Sequence, residues 1–323
     1  MLSRTDVAAL MTFDEYVTAV ADAFKLHAAG STQLPPVVGV SAPDGAFHVK
    51  TGATSEPSAY VAVKVNGNFP NNAARLGLPT IQGAIFLCDG TNGRPLALLD
   101  SIEITIQRTA AATILAARHL ARPESAAVTI CGCGNQGRVT LAGLKTIFPI
   151  ERAYAFDINE TTARDFATRM SRELDIDVTH VAGLADAAKR SDIIVTCSPS
   201  RRPLLGPGDV SAGAFVAAVG ADSHDKQELD PHLVAQNKLV VDIPSQCATI
   251  GELHHALAAG LMTEADVYAE LADIVARRKP GRSSKSEIIV FDSTGAAIQD
   301  VTAAAAVYAK AQRQGVGVRC PLA

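Results

Sequence analysis

The sequence predicts an α/β protein: a Rossmann-type doubly wound parallel sheet joined to a discontinuous, β-rich α+β domain. Three observations carry this. A glycine-rich turn at 132–137 lies between an apolar strand and a helical pattern. Apolar, β-branched strands alternate with helical segments from there to about residue 290, as parallel sheets covered on both faces require. Before residue 100 the pattern is different, with short strands separated by Gly/Asn/Asp turns that read as hairpins.

In order, residues 6–30 read as two helices, with Thr12 or Asp14 near the start of the second and Gly30 ending it. Pro35 and Pro36 open an extended region, and strands follow at 37–40, 46–50, 60–65, 80–88 and 95–100. An Ala-rich helix spans 105–121, and Arg122-Pro123 ends it. The strand at 126–131 leads into Gly132-Cys133-Gly134-Asn135-Gln136-Gly137, a helix, and a second strand ending on Asp157. Helices at 160–174 and 185–190 alternate with strands at 178–182, 193–197, 215–219 and 239–242. A strand at 287–292, a Ser293-Thr294-Gly295 turn and a helix at 298–312 close the chain. That last helix is expected to return to the first domain, giving domains of 1–121 with 300–323 and of 122–299.

Each part of the glycine turn has a reason if a dinucleotide sits there. Gly132 permits the tight turn, Gly134 clears the way for a pyrophosphate, and Gly137 lets the helix approach the strand. The helix N-terminus offers N–H groups and a positive dipole end to the phosphates. Asp157 is placed to accept both ribose hydroxyls and to repel a 2′-phosphate, which favours NAD(H) over NADP(H).

Composition narrows the remaining classes. The chain has 323 residues, enough for about two domains. At 48% hydrophobic with no Trp, its cores are aliphatic. A net charge of −4 gives no footprint for nucleic acid or an anionic membrane. The six cysteines form no CxxC pair and join no zinc pattern, and Cys131 and Cys133 read as small apolar residues of the turn. Scattered thiols, an N-terminus without a signal-peptide pattern and the lack of a membrane-length apolar run point to the cytoplasm.

Several stretches resemble the ornithine cyclodeaminase/mu-crystallin family. They are Lys64 in Ala62-Val63-Lys64-Val65, Asn68-Phe69-Pro70-Asn71-Asn72, Gly77-Leu78-Pro79-Thr80, and Leu87-Cys88-Asp89 through Gly93-Arg94-Pro95-Leu96-Ala97. Arg108-Thr109-Ala110-Ala111, the glycine turn, Gly220-Ala221-Asp222 with Lys226-Gln227-Glu228-Leu229-Asp230, Gly251-Glu252 and Phe291-Asp292-Ser293-Thr294-Gly295 continue the match. The resemblance implies a homodimer in which the first domain serves substrate binding and dimerisation. It also implies a nicotinamide cofactor and chemistry at the α-carbon of an amino or imino acid.

The same resemblance implies that Arg108 and Lys64 hold a substrate carboxylate, and a guanidinium can do so with two parallel bonds. It makes Asp222 the general acid/base on the substrate nitrogen, a role that also suits a residue just past a strand end. Thr80, Asn135, Gln136, Thr196, Val219, Lys226 and Ser293 become cofactor contacts with Gly132, Gly134, Gly137 and Asp157; for Thr196 a buried strand position is an equal reading. His224 reads as a loop histidine rather than a proton shuttle. Relatives commonly carry an arginine upstream of the lysine strand, but here none occurs between Arg4 and Arg75. Lys50 is left either to take over carboxylate binding, to hold a second carboxylate, or to point to solvent. The expected activity is NAD(H)-dependent amino acid dehydrogenation or imine reduction. The alternatives are ornithine cyclodeamination, with Glu56 as a candidate for the distal amine, and a crystallin-like binding protein without turnover.

Overall fold

The computed structural model describes residues 1–320. The chain divides into two units, residues 1–108 with the chain from 296 onward, and residues 109–295.

In the first unit, Ser3 caps α1 (Arg4–Leu10), and its hydroxyl accepts the Asp6 N–H at 3.2 Å. Thr12 caps α2 (Phe13–Ala28), where the Glu15 carboxylate accepts the Thr12 N–H at 2.8 Å. Strands β1 (Thr32–Gln33), β2 (Val38–Ala42), β3 (Gly45–Thr54) and β4 (Tyr60–Asn68) come next, then α3 (Asn72–Leu76), β5 (Ile81–Asp89) and β6 (Pro95–Asp100). They form one antiparallel sheet in the order β1-β3-β4-β5-β6, with β2 also paired to β3. Period-2 alternation gives it two different faces. Ala62, Lys64, Ile85, Leu87 and Leu99 are buried on one face, while Val65, Phe86 and Leu98 are exposed on the other.

Helix α4 (Ser101–Leu120) begins where the Asp100 carboxylate accepts the Ile102 and Glu103 N–H groups, both at 3.0 Å. This cap starts the helix four residues before the position expected from the Ala-rich run. The boundary between the two units falls inside α4, at 108/109. The far half of the helix is tied to the second unit. Leu120 O accepts Arg282 Nε at 2.7 Å and His119 O accepts the Arg282 N–H at 3.0 Å, while Ala110–Ala112 and Ala116–Ala117 are buried.

The second unit continues with β7 (Ala127–Cys131), α5 (Asn135–Ile147), β8 (Arg152–Phe156), α6 (Glu160–Leu174), β9 (Asp177–His180), α7 (Leu184–Lys189) and β10 (Ile193–Thr196). Then come β11 (Arg201–Leu205), β12 (Phe215–Ala218), β13 (Gln227–Leu229), α8 (Pro231–Ala235), β14 (Lys238–Val241), α9 (Pro244–Ile250), α10 (Glu252–Ala258), β15 (Ala269–Glu270), α11 (Leu271–Val275) and β16 (Ile289–Asp292). The main sheet is parallel throughout, in the order β15-β14-β16-β12-β10-β7-β8-β9. Every residue of β10, β12 and β16 is buried, as a sheet covered on both faces demands. Strands β11 and β13 form a separate small parallel pair. Helix α12 (Ala297–Gln314) then belongs to the first unit, where it packs on β3, β4 and β5 and on α2.

Loops at the C-terminal edge of the parallel sheet are held by buried carboxylates. Asp242 accepts the Ile243 N–H at 2.8 Å and the Gly295 N–H at 2.7 Å. Asp292 accepts the Leu253 N–H at 2.9 Å, and Glu252 accepts the Glu228 and Leu229 N–H groups at 2.8 and 3.0 Å. Glu228 accepts the Ser198 N–H at 2.6 Å and the Gly220 N–H at 2.9 Å. Burial pushes Glu228 and Glu252 above the usual carboxylate range and raises Asp292 to about 7.

Because the folded value of Asp292 is raised, the folded state holds that proton over the window from 3.8 to about 7. Its contribution to stability is fully present below that window and is lost as pH rises through it. Asp292→Asn cannot ionise, so its stability relative to the wild type is expected to improve between about pH 5 and about pH 8. Urea unfolding at the two pH values checks this, and an unchanged offset would remove the assignment.

Candidate functional site

The site residues fall into two groups, one in each unit. In the second unit, the glycine turn follows β7, which has β8 on one side and β10 on the other. The chain returns across the sheet at this strand, the place where ligands bind in open α/β folds. Gly132 has φ +104°, and a Cβ there would lie 2.8 Å from Cys197 O. A Cβ on Gly137 would lie 2.4 Å from Gly132 O and 2.7 Å from Ile130 Cγ2. Gly134 caps α5, and a Cβ there would meet nothing within 4 Å. Two of the glycines are therefore required by the protein's own packing. The third borders open space at a helix N-terminus, where the positive dipole end favours an anion.

Asn135 is exposed and Gln136 half-buried in the first turn of that helix. Asp157 directly follows β8, beside the turn. Its Oδ2 accepts the Cys133 N–H and its Oδ1 the Asn159 N–H, both at 2.9 Å. Each oxygen keeps a second lone pair for a ribose hydroxyl. Register aligns the neighbouring strand ends in one row: Cys131 with Thr196, Thr196 with Ala218, Ala218 with Asp292. Val219 and Ser293 are thereby brought to the same edge. Ser293 is buried, with its hydroxyl donating to Asp242 at 3.2 Å. Thr196 is fully buried with Glu228 as neighbour, which fits the strand reading of that residue. Burial and the Asp157 charge push the Cys133 thiol up to about 12, and burial raises Cys131 and Cys197 as well.

Asp222 lies in the loop after β12, with Lys226 Nζ 2.5 Å from its Oδ1. Lys226, expected at the cofactor, is thus placed on the candidate acid/base. The His224 ring lies 4.6 Å from that of His254, tilted by 48°, and His254 in turn lies 5.1 Å from His255.

The first unit holds the cationic group. Antiparallel register sets Lys50 on β3 directly opposite Lys64 on β4, on the covered face of the sheet. Lys50, Lys64 and Arg108 are all buried. Lys64 Nζ lies 2.5 Å from Asp300 Oδ2, and Arg108 Nε donates to Asp300 Oδ1 at 3.0 Å. Arg108 Nη1 donates to Gln299 Oε1 at 3.0 Å. Burial, and next the Arg108 charge, lower Lys64 to about 7 against the pull of Asp300. Burial works to raise Asp300, but Arg108 and Lys64 outweigh it and hold the carboxyl below its ordinary range. Gln299 Oε1 must face the guanidinium, which has no acceptor, so its Nε2 points elsewhere and is buried without a partner. An orphaned donor of this kind costs about 1–3 kcal/mol.

Gln299 and Asp300 were not anticipated from the sequence. The available signal is a polar pair set among Ile298, Val301 and Ala304, on a helix of core-facing type. The expected solvent-facing alternative for Lys50 is overturned, because its strand position lies under α12. Glu56 is exposed in the loop between β3 and β4, and Thr80 is exposed ahead of β5.

Because Gly134 borders open space, Gly134→Ala is expected to leave unfolding stability within about 0.5 kcal/mol and to weaken NADH binding. Gly137→Ala forces overpacking and is expected to cost about 1–3 kcal/mol. Chemical unfolding and NADH fluorescence titration separate the two effects. Equal NADH affinity in wild type and Gly134→Ala would exclude the phosphate position.

Comparison with known proteins agrees with this geometry. Residues 1–315 match the model of the ornithine cyclodeaminase/mu-crystallin family. The chain is 35% identical over 317 residues to the alanine dehydrogenase of Archaeoglobus fulgidus, covering 98% of this chain and 96% of that protein. Among solved structures it is similar to the Thermococcus litoralis Delta(1)-pyrroline-2-carboxylate reductase in complex with NADH and L-proline. The TM-score is 0.94 at 34% identity, covering 99% of each chain. It is also similar to an archaeal alanine dehydrogenase dimer with bound NAD, with TM-score 0.94 at 34% identity, covering 99% of this chain and 98% of that one. The glycine turn, the RTAA and FDSTG stretches and the whole-chain match place this chain in the ornithine cyclodeaminase/mu-crystallin family.

Proposed function

We propose that this protein is an NAD(H)-dependent oxidoreductase that transfers hydride between the nicotinamide and the α-carbon of a small amino or imino acid. The observation that carries this reading is the buried trio of Lys50, Lys64 and Arg108 around Asp300. Cations are buried together only where an anion is expected, because each loses hydration that only an opposite charge replaces. Lys64 and Arg108 hold the substrate carboxylate, and Lys50 adds a third positive charge to that receptor. Asp222 exchanges the proton on the substrate nitrogen. The glycine turn, Asn135, Gln136 and Asp157 hold the dinucleotide, with Thr196, Val219, Ser293, Thr80 and Lys226 as further contacts. The bound cofactor supplies the hydride chemistry, and the protein supplies orientation and charge. Residues 1–121 with 300–323 form the substrate and dimerisation domain of this reading, and 122–299 the dinucleotide domain.

The reading extends to a cytoplasmic homodimer. The outer sheet face of the first unit leaves Val38, Val40, Phe47, Val65, Phe86 and Leu98 exposed. A continuous apolar face of this kind marks an interaction surface, and a second copy fits it. Among the described residues no helix is long and apolar enough to cross a membrane.

Turnover is tested by following NADH absorbance with a panel of amino acids, 2-oxo acids with ammonium, cyclic imines and diacids. Net NADH formation or consumption is expected. Proline formed from ornithine without net NADH would select cyclodeamination instead, and tight NADH binding without any turnover would select a binding protein. Arg108→Lys loses the planar fork and is expected to raise KM about tenfold or more. The protonated form of Lys64 binds the anion, so carboxylate affinity should fall as pH rises through about 7. A flat KM–pH profile across that range would remove Lys64 from the receptor. For the dimer, Phe86→Glu should shift sedimentation to the monomer; a wild type that already sediments as a monomer would discard it.

A further inference from the structure

We propose that Asp300 is a positioning residue that holds Lys64 and Arg108 together as one preformed carboxylate receptor, with Gln299 fixing the guanidinium from the adjacent position of α12. This rests on the amino or imino acid reading of the site, and it assigns a role to two residues outside the expected set.

The geometry divides the labour. Asp300 gives one oxygen to each cation, Oδ2 to Lys64 Nζ at 2.5 Å and Oδ1 to Arg108 Nε at 3.0 Å. Its side chain is 2% exposed, so water does not compete for those oxygens. Gln299 takes a second nitrogen of the same guanidinium, Nη1, at 3.0 Å. The guanidinium plane is thus held at two corners by consecutive residues of a single helix turn. That fixes rotation about the last side-chain bonds of Arg108 before any ligand arrives.

Donor arithmetic shows what remains. A guanidinium carries five N–H donors and an ammonium three. Asp300 and Gln299 together take two from Arg108 and one from Lys64. Three guanidinium N–H groups and two ammonium N–H groups are not taken by these two residues, enough for both oxygens of a ligand carboxylate. One carboxylate among Lys50, Lys64 and Arg108 also leaves the cluster positive, so it attracts an anion where a balanced ion pair would not. The groups facing Lys64 are Arg108 from α4, Asp300 from α12 and Lys50 from β3. Of these only Asp300 favours the protonated lysine. Without it, Lys64 would shed its proton at still lower pH and leave Arg108 to bind the carboxylate unaided.

A carboxylate that merely stabilised the fold would affect unfolding and leave the titration of Lys64 where it was. The test therefore reads both. The Lys64 side chain is titrated by NMR in protein carrying 13C-labelled lysine, assigned with Lys64→Arg, and KM and kcat are measured across the same pH range. Asp300→Asn, nearly isosteric, is expected to lower the Lys64 midpoint by about one pH unit or more. At neutral pH it should raise KM about tenfold, with a smaller change in kcat. Asp300→Glu keeps the charge and should restore the midpoint while KM stays raised, and it serves as the second variant if Asp300→Asn does not fold. Gln299→Glu adds a second carboxylate and should weaken substrate binding by cancelling the positive excess.

An unmoved Lys64 midpoint in Asp300→Asn, or equal losses in kcat and kcat/KM with KM and the pH profile unchanged, would overturn the proposal. If the wild type turns over none of the panel, the activity reading fails, and the NMR titration still decides the part played by Asp300.

Discussion

A backbone N–H that has left its strand must find another acceptor. At the C-terminal edge of the parallel sheet that acceptor is a buried carboxylate, and the loops of the dinucleotide half are arranged around this constraint. Asp242 gathers the chain after β14 and the turn after β16. Glu228 gathers the loops after β10 and β12. Asp157 reaches back to the glycine turn. Each carboxylate accepts from donors whose chain positions are far apart, so loops beyond the ends of neighbouring strands are still held at fixed distance. The cost is desolvation, visible in the raised pKa values of Glu228, Glu252 and Asp292. It is offset by the buried N–H groups these side chains satisfy, each of which would be costly without an acceptor.

The first unit uses the same device with side chains in place of amides. Asp300 sits between an ammonium and a guanidinium on the covered face of an antiparallel sheet. Its pKa moves the other way, below the usual carboxylate range, because its partners are full charges. The contrast between Asp300 and Asp292 is instructive. Both are buried, yet one is held ionised by two cations and the other is pushed toward its neutral form. Composition cannot tell these two environments apart.

Much of the architecture was legible in the chain. The strand at β6 and the helix at α6 fall where periodicity put them, because each has a strong local signal at both ends. Cap chemistry shifted others: α4 starts early on Asp100, a residue that reads equally well as the end of β6. The short elements around β11, β13 and α8 to α11 carry too few residues for a period to show. The position of β16, last in sequence yet between β12 and β14 in the sheet, depends on long-range register. The same is true of Lys50, whose burial follows from pairing with Lys64 and from the cover that α12 provides.

By itself the sequence determined the class of fold, the dinucleotide turn and the family, because these rest on local rules: glycine where a Cβ cannot fit, acid at a strand end, apolar runs of fixed period. Only the tertiary structure decided which charges meet. Asp300 lies 236 residues from Lys64 and 192 from Arg108 in the chain, and nothing in their local surroundings names the partner. Burial and charge pairing act through space, so the state of Lys64 and the role of Asp300 became definable only once the sheet, α4 and α12 had brought them together.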